Sequence, residues 1–425
     1  MSQYSQRSNE ITKLPLIIFL MVMFSCIGYI GLTYSHFGLI FWEIAGYIIF
    51  LLWGPTIWII IRMIRTQNNA LTGIPQKIQA IFLVFFIGVQ IWAIYPGIMA
   101  PSVATEFDSK MIAALGENYL QNVPDSIQDL LKEKPFTWRE YWKQNDTLPY
   151  NLTEDVAYDS FNYTVMDIYQ PLDFSGLRPC LIIVHGGAST KSIDHKGSGE
   201  ENVARWFTRL GFVAISIDYA SSIEGKMPQQ ILNVRTALAY IHDHAAEYSI
   251  NTSLICMFGR SRGGQMVALA ALSSHANANE YNWYQTHAGN FTLEQLSVRA
   301  VVDLYGTVNP DKTAFWGNSF LVKRNLEVFG GTVEELPEVY GNCSASHLVT
   351  ENAPHTFIMH GKIDGMVDVE ESIDFYNHLQ DAGVTSIYLE IPTGQHGFDA
   401  FPSTYNAQLM YYYVERFLVY EVYGR

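Results

Sequence analysis

The pattern of apolar and polar positions divides the chain near residue 100. Before it, three long stretches are almost free of charge: 14–35 and 78–105 contain no Asp, Glu, Lys or Arg, and 37–61 contains only Glu43. A bilayer core about 30 Å thick needs roughly 20 apolar residues of helix. Each stretch is long enough, so the spacing predicts a three-helix transmembrane region over 1–100. Gly and Pro inside such helices are tolerable, because a helix satisfies its own backbone hydrogen bonds in lipid. Trp42, Trp53, Trp58, Trp92 and Tyr95 fall within or near the ends of the stretches, where interfacial aromatics collect. The competing reading is a cleaved signal peptide, but its apolar core spans only about 7–15 residues.

From residue 159 onward, short apolar runs alternate with amphipathic ones. Strands are predicted at 180–184, 212–217, 254–258, 299–304, 355–359 and 386–391, and helices at 200–210, 228–247, 262–274, 369–381 and 405–419. Fully apolar strands separated by helices indicate a mostly parallel sheet covered on both faces, hence an α/β, doubly wound fold over 159–425. Residues 101–158 are polar, with Trp138, Tyr141 and Trp142 grouped, and read as a helical connector against that body. Two stretches, 273–297 and 307–347, break the alternation. The second carries Phe315, Trp316 and Phe320, which suits either a lid over a pocket or a surface excursion with its own small core.

Charge sharpens the division. Only 16% of the residues are charged and 49% are hydrophobic, which excludes a disordered chain and a strongly basic nucleic-acid binder. Residues 1–100 hold five basic side chains (Arg7, Lys13, Arg62, Arg65, Lys77) against Glu10 and Glu43, a net +3, which leaves −18 for the rest of a chain whose total is −15. Arg7 and Lys13 precede the first stretch, and Arg62, Arg65 and Lys77 separate the second from the third. By the positive-inside rule the N-terminus is cytoplasmic and everything after about residue 101 lies on the far side of the bilayer. The Asn-x-Ser/Thr triplets at Asn145, Asn151, Asn162, Asn251, Asn290 and Asn342 all fall in that second part, as candidate N-glycosylation sites of an extracellular or luminal body. Four cysteines are too few for a disulfide-stapled miniprotein. Cys180 and Cys256 sit in predicted buried strands, Cys26 in the first apolar stretch and Cys343 in a loop.

The chemistry concentrates at predicted strand ends. Gly259-Arg260-Ser261-Arg262-Gly263 follows a strand and opens a helix, the nucleophile-elbow arrangement in which a sharp turn lifts a serine hydroxyl above the sheet. Val184-His185-Gly186-Gly187 ends another strand. Its backbone N–H groups, from Gly187 or its neighbour Gly186, together with that of Arg262, are the candidate oxyanion hole. His185 is read as shaping that loop. His360-Gly361-Lys362-Ile363-Asp364 and Gln395-His396-Gly397-Phe398 end two further strands. A serine hydroxyl needs a base to become a nucleophile. His396 is the candidate base, and Asp364 the group that holds its tautomer. Asp368 is the nearby rival for the acid. His242 and His244 are two apart on a predicted helix and do not share a face, so no metal site is expected.

These motifs, with Ile217-Asp218-Tyr219 and Gly264, resemble the α/β-hydrolase fold. Within it they are similar to the carboxylesterases of the hormone-sensitive-lipase and feruloyl-esterase-like (BD-FAE-like) group, over roughly 155–422. The resemblance implies a serine hydrolase that cleaves small-molecule or lipid carboxylic esters through an acyl-enzyme and without a cofactor, here tethered to a lipid bilayer. The chain departs from the pattern at three places. Ala188 replaces a frequent third glycine, and arginines stand on both sides of the serine, where an acidic and a small residue are usual. Arg262 must therefore either pair with a buried carboxylate, the favoured expectation, or face an anionic substrate. A serine peptidase of prolyl-oligopeptidase type shares the fold, but no propeller-sized region precedes the body. A prenylcysteine methylesterase would need a cytoplasmic site. A catalytically silent binding protein would be expected to have lost Ser261 or His396.

Overall fold

The structure, a computed structural model, describes residues 57, 76–142, 149–161, 164–172, 175–187, 198–313 and 319–425. The first two apolar stretches, with Glu43 and Cys26, lie outside these apart from residue 57, as do Asn145, Asn162, Ala188, Phe315 and Trp316. The chain divides into two compact units, Met1–Ala100 and Pro101–Arg425. The third apolar stretch lies on helix α1, Gln76–Leu115. Its side chains are described without a break only from Ile94, and after residue 105 Glu106, Asp108 and Lys110 enter. Among the described residues no helix is long and apolar enough to cross a membrane.

Residues 101–158 belong to the second unit, and the boundary expected at 158 does not separate them from the body. They supply an edge strand, β1 (Tyr150–Ala157), and side chains that pack along the last helix of the fold. The Tyr413 hydroxyl donates to the Ala104 carbonyl at 2.8 Å, and Phe107 meets the Tyr413 ring edge-on at 5.3 Å. The fully buried Glu415 accepts from the Lys132 backbone N–H, from Trp206 Nε1 at 2.9 Å and from Arg209 at 2.6 Å.

The sheet has eight strands among the described residues, in the order β1-β2-β4-β3-β5-β6-β7-β8. After β1 come β2 (Val165–Pro171), β3 (Arg178–Val184), β4 (Val213–Ile217), β5 (Ile250–Arg260), β6 (Ala300–Leu304), β7 (His355–Gly361) and β8 (Ser386–Ile391). β1–β2 and β2–β4 pair antiparallel, and β3 to β8 run parallel. Every residue of β4 and β6, and all but the first of β3, is buried. Successive strand side chains point to opposite faces, so both faces are covered. The edge strand β1 is mostly exposed and carries Glu154 and Asp155, the usual protection of an open edge.

The principal helices after α1 are α2 (Ser198–Thr208), α3 (Gln229–Asp243), α4 (Arg262–Ser273), α5 (Ala278–His287), α6 (Ser319–Phe329), α7 (Val369–Asp381) and α8 (Tyr405–Val419). The stretches 273–297 and 307–347 supply α5 and α6. Val328, Phe329, Tyr340 and Cys343 are buried in the core beside α4, so the described part of the second stretch is packed structure rather than an open flap. Register brings the carboxyl ends of the central strands level: Val184 pairs with Gly259, Arg260 with Leu304, Leu304 with Met359, and Gly361 with Ile391. In open α/β sheets, ligands bind outside this end.

Candidate active site

Ser261 stands between β5 and α4 with φ 52° and ψ −120°, a conformation that costs an L-residue on the order of 1–3 kcal/mol and persists only where neighbours enforce it. The glycines around it are steric necessities. A Cβ on Gly263 would lie 2.1 Å from the Val184 carbonyl oxygen, and one on Gly259 would lie 2.2 Å from that of Gly263. The close packing of α4 against β3 that these glycines permit sets the serine at the sheet's carboxyl end.

His396, on the loop after β8, places Nε2 2.9 Å from Ser261 Oγ and Nδ1 2.8 Å from Asp364 Oδ2. The three residues thus form one hydrogen-bonded line, assembled from the ends of β5, β7 and β8. Asp364 is fully buried, and four donors converge on it. Oδ1 accepts from the backbone N–H groups of Met366 (2.7 Å) and Val367 (2.9 Å), and Oδ2 from His396 and, at 3.2 Å, from His360. Burial alone would raise its pKa. The His396 charge and the hydrogen bonds from His360 and His396 outweigh it and hold the carboxyl well below the usual range. The rival Asp368 caps α7, accepting from the Glu370 N–H.

His360 is a partner that the sequence motif did not reveal as such. Its Nε2 faces two acceptors, Asp364 Oδ2 and the Val367 carbonyl (3.2 Å), and so carries the proton, while Nδ1 sits 2.7 Å from the Ser372 hydroxyl.

The His185-Gly186-Gly187 turn lies against the elbow: a Cβ on Gly186 would be 3.0 Å from the Arg260 carbonyl, and Gly187 has φ 91°. Behind the turn, the His185 ring stacks on Tyr219 at 4.5 Å and pairs with Asp218 at 3.4 Å, and the Tyr219 hydroxyl donates to the His185 carbonyl at 3.0 Å. His185 and the Ile217-Asp218-Tyr219 segment therefore brace the loop. The Arg262 N–H opens α4, where no intrahelical acceptor exists for it.

Both arginines beside the serine turn inward. Arg262 is buried. It donates to Gln265 Oε1 and, at 2.9 Å, to Asn325 Oδ1, so its partners are amide oxygens rather than the carboxylate expected from the sequence. Arg260 is held by Glu200 at 2.9 Å, by the Asp399 carboxylate and by the Gly199 carbonyl at 3.3 Å. Of the sequons, Asn151 and Asn290 are exposed and Asn251 and Asn342 half-buried. Cys180, Cys256 and Cys343 are buried free thiols. Among the described residues no group of His, Cys, Asp or Glu is arranged to hold a metal ion.

The chain is 31% identical over 250 residues to the esterase LipC of Mycobacterium tuberculosis, covering 57% of this chain and 59% of that protein. It is 27% identical over 268 residues to the esterase LipQ of the same organism, covering 62% and 60%. It therefore spans about three fifths of the length of these relatives. Among solved structures, a truncated carbohydrate esterase from gut microbiota matches with a TM-score of 0.52 and 25% identity, over 65% of this chain and 98% of that one. Esterase B from Lactobacillus rhamnosis shares the fold at 16% identity and a TM-score of 0.53. These likenesses fit the α/β-hydrolase fold. The BD-FAE family model matches residues 166–379, which contain the His185-Gly186-Gly187 turn, Ser261 and Asp364, and the chain belongs to that family.

Proposed function

We propose that this chain is a serine esterase that hydrolyses carboxylic esters through an acyl-enzyme. The observation that carries the reading is the unbroken line Ser261 Oγ–His396 Nε2, His396 Nδ1–Asp364 Oδ2. In this reading His396 accepts the Ser261 proton as Oγ attacks the ester carbonyl. Asp364 holds the Nδ1–H tautomer and stabilises the imidazolium. The backbone N–H groups of Arg262 and of the Gly186–Gly187 turn receive the developing oxyanion. His396 then protonates the departing alcohol, and a water activated by the same base releases the acid. Every proton moved has a named donor and acceptor, so no cofactor is required. The esterase names of the relatives support the reaction class. The test is labelling by a fluorophosphonate together with a chain-length series of nitrophenyl esters. Labelling that Ser261→Ala removes, with serine-dependent turnover, supports the reading, and a folded protein that does neither overturns it.

The same proposal gives the first hundred residues the role of a bilayer anchor, with a cytoplasmic N-terminus and an extracytoplasmic catalytic body. Its support is the three nearly uncharged stretches, the placement of Lys and Arg on one side of them, and sequons confined to the later part. A protease added to sealed vesicles from the non-cytoplasmic side should digest the body. Full protection there overturns the topology.

A further inference from the structure

The contacts of Arg260 close a circuit. It is peptide-bonded to Ser261, and its Nε meets the Asp399 carboxylate. The other oxygen of Asp399 accepts from the Tyr305 hydroxyl. The Tyr305 ring lies edge-to-face on His396 at 4.7 Å and on Phe398 at 5.1 Å, and His396 Nε2 returns to Ser261 Oγ at 2.9 Å. Asp399 follows His396 by three residues, so the loop that carries the imidazole is gripped at both places. Tyr305 itself has φ 43°, a backbone state that L side chains rarely adopt, directly after β6.

We propose that Arg260 is a positioning residue for His396: through Asp399 and Tyr305 it fixes the imidazole loop relative to the strand that bears Ser261. The inference rests on the serine-esterase reading. Without the guanidinium, Asp399, about 1% exposed, would be a buried carboxylate without its cation. Such a group protonates or moves to water, and here it would draw the His396 loop with it. The second carboxylate explains why the cation is an arginine. Glu200, which opens α2 next to Gly199, takes Nη1 at 2.9 Å while Nε holds Asp399. One planar fork spans both, and a lysine ammonium on its flexible stem does not. Burial works against the Arg260 charge, and Asp399 and Glu200 more than compensate, so the group is held above its ordinary pKa. The guanidinium therefore keeps its charge in spite of its burial.

Positioning appears in turnover rather than binding. Misplacement of about 1 Å costs up to a hundredfold in rate. Arg260→Lys and Tyr305→Phe, assayed in the full-length protein on one nitrophenyl ester, should each lower kcat by about tenfold or more with KM within about twofold. The double variant should be no worse than the poorer single, because the two substitutions break one circuit. Either folded single variant with kcat within about twofold of wild type overturns the proposal, and so does a double variant whose losses multiply. If Arg260→Lys does not fold, Tyr305→Phe alone decides, since it removes one oxygen and leaves the buried charges unchanged. A wild-type protein without turnover that depends on Ser261 defeats the esterase reading instead, before these variants are compared.

Discussion

Asp364→Asn is the substitution for which the structure gives the most determinate expectation. The carboxylate receives four N–H groups: two backbone donors on Oδ1 and two imidazoles on Oδ2. An asparagine of the same shape has one oxygen and one NH2 group, so it must choose. With its oxygen toward Met366 and Val367, both backbone donors stay satisfied and the NH2 faces the histidines. His396 must then present a lone pair at Nδ1 and carry its proton on Nε2, where it cannot accept from Ser261. His360 can shift its proton to Nδ1, because the Ser372 hydroxyl 2.7 Å away can accept as well as donate, but the Val367 carbonyl then loses its donor. With the amide flipped, the histidines keep their tautomers, but two buried backbone N–H groups face an NH2. At about 1–3 kcal/mol for each unsatisfied buried group, two unpaired N–H groups against one unpaired carbonyl favour the first orientation by about one to two decades in population. The minor orientation also lacks the negative charge that stabilises the imidazolium. If the proposed triad operates, the expected loss in kcat is on the order of 10⁴, as for this substitution in a Ser-His-Asp protease, or about 5.5 kcal/mol at 1.36 kcal/mol per decade. The assay is kcat on a nitrophenyl ester at neutral pH, with Asp368→Asn as the control, since asparagine caps a helix as well as aspartate does. A folded Asp364→Asn enzyme within tenfold of wild type refutes the tautomer argument.

Three further outcomes are expected. Ser261→Ala and His396→Ala should each remove most turnover, with the double variant barely worse than either; a double loss near the product of the two would show that they do not act as one unit. Gly263→Ala drives a Cβ to 2.1 Å from the Val184 oxygen and 2.5 Å from that of His185. It should lower the thermal midpoint by the equivalent of about 1–3 kcal/mol or more, and an unchanged midpoint contradicts the packing. Asp303, fully buried, is pushed up to about 7 by burial, against the pull of the Gly306 N–H. Its unfolded pKa is about 4, so between these values the folded state holds a proton that the unfolded state has lost, and stability falls as pH rises from about 4 to about 7. Calorimetric midpoints between pH 5 and 7 should decline less steeply in Asp303→Asn, and an identical slope argues against a raised Asp303.

The strands and helices that the alternation predicted after residue 159 are those that cover or form the parallel part of the sheet. Their legibility has a physical cause. A strand buried on both faces must be apolar throughout, as β3, β4 and β6 are, and such runs stand out. β1 and β2 did not. β1 is an exposed edge whose polar sequence, Tyr150-Asn151-Leu152-Thr153-Glu154, matches a loop as well as a strand. Proximity of Ser261, Asp364 and His396 could be expected because each follows a strand of one parallel sheet, whose carboxyl ends are level by construction. The second tier of the site had no such marker. His360 was visible as a motif letter, yet its hydrogen bond to Asp364 depends on where the chain turns after β7. Tyr305, Asp399 and Glu200 carry no spacing signal at all, because their relation is set by side-chain reach between loops that are 94 and 105 residues apart in sequence for Tyr305 with Asp399 and for Glu200 with Tyr305.

The two arginines beside the serine show how far local sequence can mislead about local electrostatics. Read in one dimension, Arg260-Ser261-Arg262 suggests a cationic site for an anionic ester. Strand and helix geometry separate them. Arg260 is the last residue of β5 and points to the Glu200–Asp399 side, whereas Arg262 begins α4 and points to Gln265 and Asn325. Arg260 sits with two carboxylates, so its surroundings are net negative. Arg262 has neutral partners in direct contact, and burial pushes the more distant Glu371 carboxyl up to about 8, so that it is largely protonated at neutral pH. The Arg262 cation is therefore only partly balanced, and it lies at the start of the helix whose first N–H is the proposed oxyanion donor. A helix N-terminus already favours negative charge, and an inward-facing cation there adds to that field. In the proposed reaction, then, the arginine after the serine would act through its backbone N–H and its field rather than as a side chain that pairs with the substrate.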